Sequence, residues 1–337
     1  MVRTLVHNTT RSHVSTPLNH QPFRNLKFST LHPHHRTLPN HTHHFPPKSH
    51  HFHLTNPNPN PQFNPNPNSS DSNSSDSIKL LVDFKSQYNH IRVLEIPRSE
   101  SHPLRGSRLL LLDSPGNIHS INCRDRILTG CYFDVFATIG AISGAGSVAI
   151  LGFGAGSAAK SILELYPDVV VHGWEIDSDV IDVGREFFEL SRIEREYEGR
   201  VFVHVGDALR AGNVEGGFSG VLVDLFSKGR LVPELQDCVT WKKVKGMLRD
   251  GGRVMVNVGG SCVEAEESGI DGKRLMEETL SAMSKVFGDE IYVLSLGNGK
   301  DDSSIALTGN LLDPDAWKEA LYPPLGGYVH MWKPFKG

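Results

Sequence analysis

The sequence predicts an α/β fold: a mostly parallel sheet with helices on both faces, an antiparallel hairpin at one edge, and a small β region in front. Three observations predict it. From Ser147 to Val258 short apolar strands alternate with helical segments, the pattern of parallel strands joined by crossover helices. The last two strand-like runs, Glu290–Leu296 and Ser303–Thr308, have only the polar loop GNGKDDS between them. Parallel neighbours need a crossover of about a dozen residues or more, so this pair is antiparallel. Ahead of Asp125, finally, the chain alternates as half-buried strands do and is broken by turn residues.

The elements follow in order. Ile78 to Ile121 reads as β structure: HIRVLEIP (His90–Pro97), then Arg108–Leu112, a turn at Ser114-Pro115-Gly116-Asn117, and a further strand. Asp125 to Ile142 carries Ile127, Leu128, Cys131, Tyr132, Val135, Phe136 and Ile139 at helical spacing, which predicts one helix. Strands are expected at Ser147–Leu151, Val169–Glu175, Arg200–Val205, Gly220–Asp224 and Arg253–Val258. Helices are expected at Ser157–Tyr166, Asp179–Leu190 (opened by Asp177 or Ser178 as its cap), Asp237–Leu248 and Gly272–Phe287. The uncharged run Val135–Ala159 is long enough to span a bilayer. Its six glycines divide it instead into a helix end, a turn, a buried strand and a glycine loop.

The N-terminal part is of another kind. Residues 1–70 contain no Asp or Glu, six Lys or Arg, and 12 of the 18 histidines. Asn56–Ser77 is a low-complexity run of Asn, Pro and Ser. So few apolar residues cannot offset the entropy of ordering, which predicts disorder over 1–77. An acid-free, basic, hydroxyl-rich terminus has the composition of an organelle transit peptide. Abundant Ser, Thr and Pro with sparse Arg point to the chloroplast rather than the mitochondrion. The histidines lack the regular spacing of a metal site. Two segments are then expected beyond it, a β-hairpin domain over 78–123 and a sheet domain over 124–337. From residue 78 onward, 28 Lys and Arg face 36 Asp and Glu, a net charge of −8, which argues against a nucleic-acid surface. Cys123, Cys131, Cys238 and Cys262 have neither zinc-site nor disulfide spacing.

Candidate chemistry gathers at the strand ends. VAILGFGAGSAAK places Gly152, Gly154 and Gly156 directly after the first strand of the main sheet. There the backbone can turn sharply and meet a ligand closely, and the next helix presents free N–H groups. Nineteen residues after Gly156, Glu175 ends the second strand, where an acid accepts hydrogen bonds from ribose hydroxyls. Asp207 follows the third strand and is placed to accept from an adenine amino group. Asp224 ends the fourth. Ser157 in place of the last Gly or Ala, together with the terminal hairpin, speaks against a nicotinamide-binding protein.

These motifs, in this order, resemble the spermidine synthase (aminopropyltransferase) family of the S-adenosylmethionine-dependent methyltransferase superfamily, over roughly Lys85 to Gly309. QYNHIRVLE (Gln87–Glu95) is similar to that family's Tyr-Gln strand, and RLLLLDSPGNIHS to its leucine-rich strand and turn. The resemblance implies a Rossmann-like methyltransferase sheet behind an N-terminal β domain. It also implies S-adenosylmethionine or decarboxylated S-adenosylmethionine as co-substrate, a small-molecule acceptor, and a homodimer or homotetramer. Glu175 matches the ribose-binding acid and Asp207 the adenine-binding acid. Asp224 matches the first Asp of the Asp-Ser-Ser-Asp-Pro loop, associated with deprotonating the acceptor amine. The chain departs from the pattern at Ala155, where synthases have an Asp that contacts the ligand's amino end. It departs also at Ser227, which stands for the second Asp of the loop, and at Asn89, which stands for the Gln. Lys228 and Arg230 in the loop after Asp224 are unfavourable for a polycationic acceptor, unless they point away and Glu234 and Asp237 face in. An ordinary Asp titrates near 4, so Asp224 needs burial to act as a base. Two readings follow: a transferase of aminopropyl or methyl groups, and a diverged nucleotide-binding module without transferase activity.

Overall fold

The computed structural model describes residues 78–99, 104–260, 265–297 and 303–336. The proposed transit peptide and linker, Cys262 and most of the GNGKDDS loop lie outside the described residues.

The first sheet is antiparallel, in the order β1 (Lys79–Lys85), β2 (His90–Glu95), β3 (Ser107–Leu111) and β4 (Ile118–Cys123). Its β3–β4 turn is held by Asp113, whose carboxylate accepts from the amides of Gly116 and Asn117. Two short helices follow, α1 (Tyr132–Ala137) and α2 (Ile139–Ser143). The single helix expected from Asp125 is therefore corrected: residues 125–131 are not helical. The Asp134 carboxylate accepts from the Thr129 and Gly130 amides and the Thr129 hydroxyl, which satisfies the backbone in a turn rather than in helical bonds.

The second sheet comprises β5 (Gly146–Leu151), β6 (Val169–Glu175), β7 (Val201–Val205), β8 (Phe218–Val223), β11 (Leu248–Gly259), β12 (Ile291–Leu296), β13 (Ser303–Thr308) and β14 (Lys333–Pro334), with the two-residue strands β9 (Phe226–Ser227) and β10 (Arg230–Leu231) forming a separate hairpin. Its spatial order is β14-β12-β13-β11-β8-β5-β6-β7. Pairings from β11 to β7 are parallel and those of β13 and β12 antiparallel, as the short connection required. The hairpin is not outermost, because β14 pairs with β12.

Alternate residues of the central strands bury on opposite faces. Val148, Ile150 and Leu222 join the core with α3 (Ser157–Leu165); Ala149, Leu151, Val221 and Val223 join that with α6 (Cys238–Met247) and α7 (Gly272–Phe287). Strands buried on both faces read as continuous apolar runs, which is what VAIL and VLV are. The helix expected over Asp179–Leu190 is α4 (Ser178–Phe187), which ends three residues early, and a further helix that was not expected, α5 (Leu190–Glu196), follows. Glu189, at φ 66°, separates the two, and ion pairs of its carboxylate with Lys160 and Arg192 offset the cost of that conformation. At the C-terminus α8 (Pro314–Ala320) and a 3₁₀ segment bring Trp317, Leu325 and Trp332 into the core. Val135–Ala159 divides into α1, α2, β5 and the glycine loop, and no helix among the described residues is long and apolar enough to cross a membrane.

Candidate active site

The chain leaves β5 into Gly152, at φ 88°. A Cβ there would lie 2.1 Å from the Asp224 carbonyl oxygen, so only glycine lets the loop pass this close to the end of β8. The Asp224 amide donates to the Leu151 carbonyl at 2.8 Å, which fixes Asp224 beside the loop. Gly154 and Gly156 also have positive φ, 56° and 90°. Gly156 precedes α3 directly, and its carbonyl accepts from the Lys160 amide.

Glu175 ends β6 and is 7% exposed. Its Oε2 accepts from the Gly154 amide at 2.9 Å and its Oε1 from the Asp177 amide at 3.1 Å. Burial raises its pKa, against the pull of these amides. The Ile176 amide is a third donor to the carboxylate. The Glu175 carbonyl accepts from the Gly206 amide at 2.8 Å, so Asp207 lies on the same rim. Asp207 caps a 3₁₀ turn through the Leu209 amide (2.9 Å) and lies 3.4 Å from Arg210. The glycines, Glu175, Asp207 and Asp224 thus line one edge of the sheet, at the carboxyl ends of its parallel strands.

Asp224 is half-buried. Tyr132 OH donates to its Oδ2 at 2.7 Å, and Asn257 Nδ2 to its Oδ1 at 3.0 Å. Burial lifts its pKa from 3.8 to about 6, while the two donors restrain the rise. Burial and the neighbouring Asp224 carboxylate hold Tyr132 well above the usual phenol range, which keeps it a donor. Asn257 Oδ1 accepts from the Gly259 amide at 3.0 Å, and that bond turns its NH₂ group toward Asp224.

Sequence reasoning missed both partners of Asp224. Tyr132 was one apolar member of a helical pattern. Asn257 carried a signal: a single amide inside the apolar strand RVMVNV, 4% exposed, needs a polar partner.

The three departures are also placed. Ala155 packs among Ile91, Val93, Leu110, Val180, Val183 and Phe188, and α4 comes near enough that a Cβ on Gly184 would lie 3.5 Å from the Ala155 Cβ. Ser227 is exposed on the hairpin whose two-residue turn is Lys228-Gly229, both at positive φ. Segment 265–267 straps that hairpin: the Glu266 amide donates to the Lys228 carbonyl, the Glu266 carboxylate accepts from the Ser114 amide, and Glu267 pairs with Arg230. Asp237 caps α6 and Glu234 is exposed; neither hydrogen-bonds to Asp224. Asn89 donates to Asp177.

The N-terminal sheet grips this edge. Ser120 Oγ accepts from the Ala155 amide at 2.9 Å, Ser157 Oγ bonds both the amide and the carbonyl of Ile121, and Lys160 Nζ donates to Asn122 Oδ1 at 2.9 Å. Among the described residues no group of three or more His, Cys, Asp or Glu forms a metal site.

No family model matches the chain. A probable polyamine aminopropyl transferase of Bifidobacterium longum is 24% identical over 233 residues, 64% of this chain and 48% of that protein. The chain thus spans about half the length of this curated relative. Among solved structures, a probable spermidine synthase from Corynebacterium glutamicum aligns with a TM-score of 0.55 and 17% identity, over 75% of this chain and 90% of its own. A spermidine synthase in complex with the transition-state analogue AdoDATO aligns with a TM-score of 0.51 and 14% identity, over 71% of this chain and 75% of its own. With its four-stranded antiparallel sheet and its larger, mostly parallel sheet, this chain has the fold of the spermidine synthases, and its sequence is similar to that of a probable polyamine aminopropyl transferase.

Proposed function

We propose that this chain is a transferase of the aminopropyl type, taking decarboxylated S-adenosylmethionine or a close S-adenosyl relative as donor and a small amine as acceptor. The observation that carries the reading is Asp224: a carboxylate beside the glycine cradle, oriented by Tyr132 and Asn257, with its pKa raised to about 6. The acceptor nitrogen attacks the carbon next to the sulfonium. The C–N bond forms as the C–S bond breaks, and the electron pair passes to sulfur, leaving neutral methylthioadenosine. The nitrogen then carries the positive charge and releases a proton, which Asp224, ionised at neutral pH, accepts. Its negative charge also stabilises the cation as it develops. Glu175 and Asp207 hold the ribose and the adenine in this reading.

One observation favours the second reading, a diverged nucleotide-binding module without transferase activity. Ala155 is committed to an apolar cluster and Ser227 is exposed, so neither position offers a carboxylate to an ammonium group. The test is incubation with each donor and with putrescine or spermidine, following methylthioadenosine and S-adenosylhomocysteine by chromatography. Release of methylthioadenosine that depends on acceptor and on Asp224 supports aminopropyl transfer. Nucleoside binding without either product refutes it.

We further propose plastid targeting through residues 1–77, tested by the destination of a fluorescent protein fused to them, and a homodimer or homotetramer, tested by light scattering.

A further inference from the structure

The carboxylate of Asp177 has more partners than its local role requires. It caps α4 by accepting from the Asp179 amide at 3.1 Å, and one such bond makes an N-cap. Its other oxygen accepts from Ser86 Oγ at 2.5 Å and Asn89 Nδ2 at 2.7 Å. Ser86 and Asn89 are the ends of the β1–β2 turn, 91 and 88 residues away in sequence. The turn is built to aim both at one point: the Ser86 amide donates to the Asn89 carbonyl at 2.9 Å, and the Asn89 amide to Ser86 Oγ at 2.9 Å. Asp177 is 2% exposed, so this carboxylate needs those donors. Its own amide, in turn, is one of those that hold the Glu175 carboxylate.

We propose that Ser86 and Asn89 are positioning residues for the nucleoside site, acting through Asp177 to set the geometry of Glu175. The turn touches Asp177 rather than Glu175, and the path has two hydrogen-bonded steps: turn side chains to the Asp177 carboxylate, then Asp177 amide to Glu175 Oε1. The inference rests on the nucleoside reading of Glu175. A tie that merely joins the two sheets would affect stability alone.

The test is calorimetric titration of the full chain with methylthioadenosine at a temperature where every variant is folded by circular dichroism. The proteins are wild type, Glu175→Ala, the double variant Ser86→Ala/Asn89→Ala, and Ser86→Thr, which keeps the hydroxyl. The expected result is binding by wild type, none by Glu175→Ala, affinity about tenfold weaker in the folded double variant, and near wild-type affinity in Ser86→Thr. Binding lost in Glu175→Ala but undiminished in the double variant overturns the positioning role and leaves the nucleoside reading standing. A double variant that melts earlier yet binds with wild-type affinity overturns it likewise. Failure of the wild type to bind overturns the nucleoside reading and this inference with it.

Discussion

Replacing Asp224 with Asn tests the electrostatics of the site without any knowledge of the substrate. The amide is isosteric: its oxygen accepts from Asn257, and its NH₂ donates to the Tyr132 oxygen, so the Tyr132 bond reverses while the ionisation is removed. In the folded protein Asp224 titrates at about 6, against 3.8 for an ordinary Asp. At about 1.36 kcal/mol per pKa unit the shift is worth about 3 kcal/mol, and water reaching a half-buried side chain reduces this to about 1.5–3 kcal/mol. The sign follows from which state holds the proton. Below 3.8 both states are protonated and the residue contributes nothing. Between 3.8 and 6 the unfolded carboxyl ionises while the folded one does not, so wild-type stability falls as pH rises; above 6 the loss is complete. The Asn variant lacks this slope. Urea unfolding of both proteins from pH 3.5 to 8 should therefore show the variant gaining about 1.5–3 kcal/mol on wild type by pH 7, with no further gain above. A difference that stays constant, or that grows as pH falls, would falsify the buried-base account.

Tyr132→Phe removes one charge-assisted bond to Asp224, worth about 1.5–3 kcal/mol, so the Asp224 transition should move up by about one to two pH units, read from the same unfolding series; no movement would mean that the phenol does not serve the carboxylate. Gly152→Ala places a Cβ 2.1 Å from the Asp224 carbonyl oxygen at φ 88° and should cost about 3 kcal/mol or more. A urea midpoint within error of wild type would mean the loop has room to retreat. Lys160→Met removes an ammonium bonded to Asn122 Oδ1 and Glu189 Oε2. Arg192 still pairs with Glu189, so the expected loss is about 2 kcal/mol, below the full penalty for breaking a buried pair; equal stability would show the network to be dispensable.

Much of this architecture is legible in the sequence, and the failures have physical causes. Apolar runs such as VAIL and VLV announce strands buried on both faces, and the residues that end them mark the edge where the candidate site lies. Helix continuity is less legible, because the breaks are made by side chains. Asp134 draws the Thr129-Gly130 backbone into a turn, although the Thr-Gly pair was a visible cue. Glu189 adopts a left-handed conformation without being glycine, held by cations that only the tertiary structure supplies. The residues of the site follow the same division. Glu175 and Asp224 stand at strand ends and can be picked from the pattern. Tyr132 belongs to the site only because the first residue of α1 reaches Asp224, just past the end of β8, and a helical period cannot distinguish a residue that packs from one that bonds a carboxylate.

The stitches made by β4 carry a last consequence. Ser120, Ile121 and Asn122 satisfy the Ala155 amide, the Ser157 hydroxyl and the Lys160 ammonium. A polypeptide beginning after Cys123 would leave all three without those partners and open the core they share with β2, β3 and β4 to water. The boundary that the eye draws between the two sheets is thus one of shape only. Neither half has a complete interior of its own, and the large sheet takes part of its chemistry on loan from the small one.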